Sequence, residues 1–165
     1  MDYKEYMVKR KKGAAEMLLA FLIYLVALAL SFASLVLIKF GGFGLLLSVG
    51  FIYAGYKLCA SFNREFEYIV TDDFVDVDVI FNASRRKRLI TFSMKDAEII
   101  APVDSPEYKS YAQKDYKVID ASTRRKDAKV YFAAVEKNGK KLVKIELPEE
   151  ALLHLRKYAP SKVVM

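Results

Sequence analysis

The sequence has little of what catalytic and metal sites are made from. It holds one cysteine, Cys59, and one histidine, His154. A single cysteine excludes a disulfide within the chain and a cysteine-based metal site. One histidine cannot form a metal-binding pair, and the chain carries neither a glycine-rich phosphate loop nor a nucleophile elbow. We therefore expect no catalytic residues, no metal and no cofactor, and we predict that the protein is not an enzyme.

The composition indicates two different parts. Of the 165 residues, 54% are hydrophobic and 28% are charged, and the net charge is +7. A single mixed globular domain rarely combines such a high apolar share with so many charges. A basic balance is typical of proteins that bind nucleic acid or lie close to an anionic membrane surface.

Two long apolar runs stand near the beginning of the sequence. Residues 14–38 contain one charge, Glu16, and residues 43–62 form a second run of nearly the length of a membrane span. About 20 apolar residues are enough to cross the hydrocarbon core of a bilayer. The first run is too long for a signal peptide, and about 100 further residues could not cover both runs in a soluble core. We predict a transmembrane helical hairpin over residues 14–62, with a tight connector rich in glycine.

The charges beside these runs predict the orientation. Five bases precede the first run, and the connector offers only Lys39; the five are Lys4, Lys9, Arg10, Lys11 and Lys12. By the positive-inside rule both termini are expected in the cytoplasm. We therefore predict a multi-pass protein of the plasma membrane with a basic cytoplasmic tail at residues 1–13 and a cytoplasmic domain at residues 63–165.

Small residues four positions apart occur in both runs. Ala27 is followed by Ser31 in the first, and Gly50 by Ala54 in the second. Such pairs let helix backbones approach closely in a membrane, so these four residues are our candidates for helix packing.

After Asn63 the hydrophobic pattern changes to a period of two. Seven strands are expected, at residues 66–71, 74–81, 88–92, 97–103, 116–121, 128–136 and 141–147. Asp72-Asp73 and Asn138-Gly139 are typical of tight turns. Residues 148–159 have acids in the first turn and bases in the last, as a helix prefers. Asp76 and Asp78 share one strand face and are expected to be solvent-facing neighbours of Lys and Arg rather than metal ligands.

Seven strands in a meander closed by one helix form a specific arrangement. The stretch EFEYIVTDDFVDVDVIFNASRRKRLITFSMKDAEII resembles the bacterial pleckstrin-homology-like (PH-like) domains, often fused to a pair of membrane spans. The resemblance covers residues 65 to about 158. It implies an α+β membrane protein with a seven-stranded PH-like barrel or sandwich, capped by a C-terminal helix. It also implies a membrane-associated module that tends to self-associate.

Four consecutive bases, Arg85, Arg86, Lys87 and Arg88, are expected at the tip of the second hairpin. Counting strand directions returns this tip to the end of the domain where the second span exits, near Arg64 and the bases Lys9, Arg10, Lys11 and Lys12. The same count places residues 124–126 at the far end. The tip either touches lipid headgroups or is a solvated turn; successive residues alternate faces, so at most two of the four can address one surface.

Two functions remain from the sequence. The first is a membrane-anchored scaffold whose domain binds an unknown membrane protein or itself, as a homo-oligomer. The second is a lipid-sensing or membrane-organising protein that contacts anionic headgroups of the lipid bilayer through its basic turns. We do not expect nucleic acid as a partner, because a short tether obstructs access to a duplex and interleaved acids dilute the basic field.

Overall fold

A computed structural model describes residues 3–37 and 42–165. The predicted connector at 39–42 lies outside the described residues except for Gly42, as does Ile38 of the first run. The chain divides into two compact units. One holds the strands and contains the N-terminal residues as far as Lys11, together with Glu65–Ile80 and Ser84–Met165. The other contains Lys12–Arg64 and Phe81–Ala83.

The second unit contains two helices, α1 (Ala14–Leu35) and α2 (Phe43–Ala60). Both pass the length and hydropathy criteria for a membrane span, with mean hydropathies of 2.5 and 1.5. Gly42, in the left-handed region at φ 83°, is the cap from which α2 starts. Ser61 ends α2, and β2 begins three residues later.

The first sheet has four strands in the order β1-β2-β3-β4. They are β1 (Tyr3–Lys9), β2 (Arg64–Thr71), β3 (Phe74–Phe81) and β4 (Arg85–Ser93). Residues 3–9 were expected in a basic tail, but they pair antiparallel with β2, with Tyr3 opposite Thr71 and Lys9 opposite Glu65. The described chain thus has eight strands rather than the seven predicted.

The second sheet has the order β5-β7-β8-β6. Its strands are β5 (Ala97–Pro102), β6 (Lys117–Asp120), β7 (Tyr131–Glu136) and β8 (Lys140–Ile145). The short helix α3 (Pro106–Ala112) connects β5 to β6. The predicted meander is wrong here, because β6 lies beside β8 and runs parallel to it. Two four-stranded sheets therefore replace the expected seven-stranded meander.

The core of the strand unit lies between the inner faces of its sheets and α4 (Glu149–Tyr158). Tyr68, Phe92 and Phe132 are its largest buried aromatic side chains. From α4, Leu152 and Leu155 are fully buried. His154 of this helix contacts the carbonyl oxygen of Asp72 at 3.0 Å, which ties α4 to the turn between β2 and β3. The predicted turns at Asp72 and at Asn138-Gly139 are present, each with residues at positive φ.

Candidate membrane-facing basic surface

The two apolar helices touch along one narrow stripe of small residues. Ala27 and Ser31 of α1 are buried in it, and a Cβ atom added at Gly55 of α2 would lie 2.8 Å from the Cβ of Ala27. The hydroxyl groups of Ser31 and Ser48 are hydrogen-bonded to each other. These contacts allow the backbones to approach closely, as a helix pair in a bilayer requires.

Two of the four candidate packing residues lie elsewhere. Gly50 and Ala54 are exposed, and an added Cβ at Gly50 would meet no atom within 4 Å. The stripe on α2 consists instead of small residues at spacings of four, seven and four, namely Gly44, Ser48, Gly55 and Cys59. The sequence offered this spacing, but α2 has too many small residues for spacing alone to select the face.

The remaining circumference of both helices is apolar and exposed. Among the described residues of α1 and α2, the large side chains more than half exposed include Met17, Leu18, Phe21, Phe32, Phe43, Leu45, Leu46, Val49, Tyr53 and Leu58. Apolar surface of this extent is rare on soluble monomers and marks a contact with membrane or protein.

The run of four bases is not the tip of its hairpin. The turn lies at Asn82 and Ala83, both with φ near +50°, and Arg85 to Arg88 form the first half of β4. The sequence prediction placed the turn three residues too late, since an alanine in the left-handed region is uncommon. In the unit of the helices, the amide N–H of Asn82 donates to the carbonyl oxygen of Asn63 at 2.9 Å.

Two of the four bases belong to an ion-pair network on the first sheet. Arg86 contacts Glu67 and reaches Asp78 at 2.6 Å. Arg88 binds both carboxylate oxygens of Asp78 and lies 2.7 Å from Asp76. The hydrogen bond to Asp78 raises the pKa of Arg88. Glu67 and Asp78 are each only 2% exposed, so these arginines neutralise carboxylates that are buried beneath them.

The bases before α1 are close to a second basic segment. The amide N–H of Lys11 donates to the carbonyl oxygen of Thr123 at 2.9 Å. Arg124, Arg125 and Lys126 follow directly and are exposed. We call Lys9–Lys12 and Arg124–Lys126 together the basic cluster. The strand count had placed residues 124–126 at the far end. This is wrong, because β5 and β6 both run antiparallel to β7 and so share one direction, whereas the count had them opposite; β6 therefore ends where the count had it begin.

Carboxylates hold the loop that carries the second segment. Both oxygens of Glu146 accept from the Thr123 hydroxyl, at 2.8 and 2.9 Å, and one also accepts from its backbone N–H at 2.5 Å. Asp120 accepts from Ser122 at 2.6 Å and from Arg124 at 3.3 Å. Burial works against ionisation of Asp120, but these hydrogen bonds outweigh it and lower the pKa of its carboxyl group.

The backbone of the same loop is also fixed. The hydroxyl of Tyr68, on β2, donates to the carbonyl oxygen of Ala121 at 2.6 Å. Burial raises the pKa of Tyr68, so this hydroxyl remains a donor at all ordinary pH values. Arg124 has φ 59°, a conformation that a non-glycine residue adopts only when its surroundings impose it. The loop therefore has a fixed backbone conformation, and the side chains of its arginines are exposed on the surface.

The other predicted lipid-contact residues have separate surroundings. Lys9 lies 3.7 Å from Glu65 and is 70% exposed. The guanidinium of Arg64 lies over the ring of Phe81, 5.6 Å from its centre. Arg85 and Lys87 are exposed on β4, in the positions flanking Arg86. Thus the structure brings Lys11 together with the loop at 123–126, and assigns Arg86 and Arg88 to the sheet.

An open groove runs along β1 in the strand unit. It has a volume of about 680 Å³ and is lined by the strand Glu5–Val8 on one side and by Tyr131, Leu147 and Pro148 on the other. Met7, which lines it, is 58% exposed. A groove beside the edge strand of a sheet is a common place for another chain to bind.

No metal-binding group was found within the described ranges. There, no three His, Cys, Asp or Glu side chains are grouped so that they could hold an ion. Cys59 is buried between the helices, where its thiol contacts the carbonyl oxygen of Ala20 at 3.6 Å.

One comparison with known proteins gives a match. A family model described as Bacterial PH-like domain (DUF6106) matches residues 2–165. Because the match begins at residue 2, it includes β1 and both apolar helices. Neither the curated proteins nor the solved structures contain a match to this chain.

Proposed function

Since the chain belongs to the bacterial PH-like domain family, we propose that it is a non-catalytic, membrane-anchored interaction module. In this proposal α1 and α2 cross the plasma membrane as a hairpin. The strand unit lies in the cytoplasm and binds a protein partner, which can be a second copy of the chain.

The observation that supports the membrane anchor is the exposed apolar surface around most of both helices. Each helix buries only its narrow stripe of small residues, and the window of highest hydropathy is 17% buried in α1 and 28% in α2. Burying one large apolar side chain contributes about 1.5–3 kcal/mol. Leaving this many in water would cost on the order of tens of kcal/mol, whereas a bilayer covers all of them.

The topology is tested by labelling single cysteines in intact cells. With Cys59→Ala as background, Gly42→Cys, immediately before α2, should react with a membrane-impermeant thiol reagent. Ser161→Cys, in the strand unit, should react only after lysis. Both sites are exposed in the structure, so neither depends on unfolding. Labelling of Ser161→Cys in intact cells would overturn the cytoplasmic assignment.

The groove beside β1 supports the interaction half of the proposal. An added strand would extend the first sheet there, and its side chains would meet Met7, Tyr131 and Leu147. We expect the full chain in detergent micelles to self-associate in a manner that 0.5 M salt does not reverse, because apolar contacts are not screened.

The matched test compares two exposed apolar residues. Met7→Ser, in the groove, should reduce the molar mass measured by light scattering, whereas Phe74→Ser, at the start of β3, should not. Equal masses for both variants, or a wild type that is monomeric throughout, would argue against the groove as the interface between copies.

A further inference from the structure

We propose that the basic cluster is a docking surface for an anionic bilayer, and that the loop at 123–126 is the part of the domain that docks. This inference rests on the membrane anchor of the proposed function. It goes beyond the sequence prediction, which chose the bases of β4 and placed residues 124–126 at the far end.

The first support is the concentration of charge. Lys9–Lys12 supply four positive charges and Arg124–Lys126 three more, and the hydrogen bond from Lys11 to Thr123 brings the two segments together. Four acids lie beside the cluster: Asp127 follows Lys126 in the sequence, and Glu65, Asp120 and Glu146 contact Lys9, Arg124 and Thr123. Against seven bases they leave the cluster with a net positive charge. The cluster therefore has the charge complementary to anionic headgroups.

The second support is the place of the cluster along the chain. Lys11 is separated from Ala14, the first residue of α1, by two residues. Chain length alone keeps Lys11 within about 11 Å of that residue, whatever angle the helices take. Attraction to a charged surface falls off over about 8–10 Å at physiological salt, a distance comparable with this maximum, so the short tether keeps a loop bonded to Lys11 near the start of the proposed span.

The third support is that the loop is rigid while its bases point outward. Glu146, Asp120 and Tyr68 hold its backbone, and Arg124 stays in the left-handed region. Arg125 and Lys126 are exposed, and no acid is within bonding distance of either in the part of the chain that the structure describes. By contrast, Arg86 and Arg88 are engaged by carboxylates on their own sheet.

The test uses the full chain in liposomes, with a fluorophore on Asp127→Cys in a Cys59→Ala background. Quenching by headgroup-labelled lipid reports contact of the loop with the bilayer. We expect strong quenching with 30% phosphatidylglycerol, little with phosphatidylcholine alone, and reversal by 0.5 M salt. Each base removed should lower the ratio of docked to undocked loop about fivefold. Arg125→Ser with Lys126→Ser should thus lower it by an order of magnitude or more.

The control variant is Lys109→Ser with Lys117→Ser, which makes the same change in net charge away from the loop. It should keep wild-type quenching. If quenching does not depend on anionic lipid, or falls equally in both variants, the docking proposal is wrong, and an acidic protein is then the better candidate for the cluster. If instead the chain fails to float with liposomes and is extracted by alkaline carbonate, the proposal that α1 and α2 span the membrane is wrong.

Discussion

Asp78 is almost completely buried although it belongs to the face of the first sheet that carries charged residues. Arg86 and Arg88 cover it and share its two oxygens, and Glu67 completes the network. Two carboxylates this close repel each other unless cations compensate them, so both arginines have a structural role. The sequence predicted that Asp76 and Asp78 face solvent beside basic neighbours; the basic neighbours are present, but the solvent exposure is wrong for Asp78. It did not predict that two members of the four-base run are those neighbours.

Replacing Arg86 should therefore destabilise the strand unit more than replacing its neighbours. We expect Arg86→Ser to lower the free energy of unfolding by about 2–3 kcal/mol, because buried carboxylates lose a partner. Arg85→Ser and Lys87→Ser change exposed positions and should each cost under about 0.5 kcal/mol. The free energy of unfolding of each variant is measured by urea unfolding, followed by the near-ultraviolet circular dichroism of the tyrosines. Three equal effects would show that the network contributes nothing.

Acid should weaken two carboxylate contacts. The backbone N–H of Ser93 and the ammonium of Lys137 lower the pKa of Asp96. Hydrogen bonds from Ser122 and the guanidinium of Arg124 lower the pKa of Asp120. A lowered folded-state pKa stabilises the fold above the unfolded value of about 3.9, and this contribution is lost as the pH falls through the folded-state pKa. Asp96→Asn with Asp120→Asn should make the free energy of unfolding fall less steeply below pH 4. An unchanged slope would contradict both assignments.

Strands β2 to β8 were predictable because they are short runs rich in apolar, β-branched and aromatic residues, several with a period of two, and turn signals separate them. The strand β1 and the order of the second sheet were not predictable. In β1 the partly buried positions are Lys4, Tyr6 and Val8, and so many lysines conceal the period of two. Alternation also carries no information about pairing direction, so the parallel pairing of β6 with β8 could not be read from it. The shared direction of β5 and β6, which α3 connects, decides at which end the loop at 123–126 lies, and with it one of the two segments of the basic cluster.

The strand β4 contains an irregularity that alternation does not predict. Arg86 and Arg88 share a face with Asp78, whereas Ile90 and Phe92 are buried like Val75 and Val77. All four residues of β4 have even numbers, so a regular strand would place them on one face. An extra residue between Arg88 and Ile90, as in a β-bulge, would reconcile the two halves.

The contact between the helices depends on Gly55 rather than on Gly50. Gly55→Leu should force the helices apart, since even a Cβ there would lie 2.8 Å from that of Ala27. Overpacking of this kind costs about 1–3 kcal/mol. A Cβ atom at Gly50 meets no atom within 4 Å, so Gly50→Leu should be tolerated. With Ser31→Cys, Ser48→Cys and Cys59→Ala as background, the yield of an intrachain disulfide reports helix contact. A yield that falls equally for both variants would place Gly50 in the contact as well.

In the connectivity of the whole chain, the helical pair is an insertion in a β-hairpin. β1 and β2 are antiparallel neighbours, with Lys9 opposite Glu65, and everything between them is the loop of that hairpin. The family match from residue 2 agrees with this organisation, since it spans the first strand as well as the rest. The domain thus includes a strand from before the first helix, in addition to the predicted residues 63–165.

Removing the insertion should leave a folded, soluble domain. We expect a chain in which about two to four Gly and Asn residues join Lys11 directly to Arg64 to remain in solution without detergent and to unfold cooperatively, because the ends of β1 and β2 already face each other. The control is a chain of residues 64–165 alone, which exposes the edge of β2 that β1 covers. It should aggregate or unfold at lower urea, since an unpaired edge strand invites association with other chains. Equal stability of the two chains would mean that β1 adds nothing to the fold, and an unfolded joined chain would mean that the domain requires its helices.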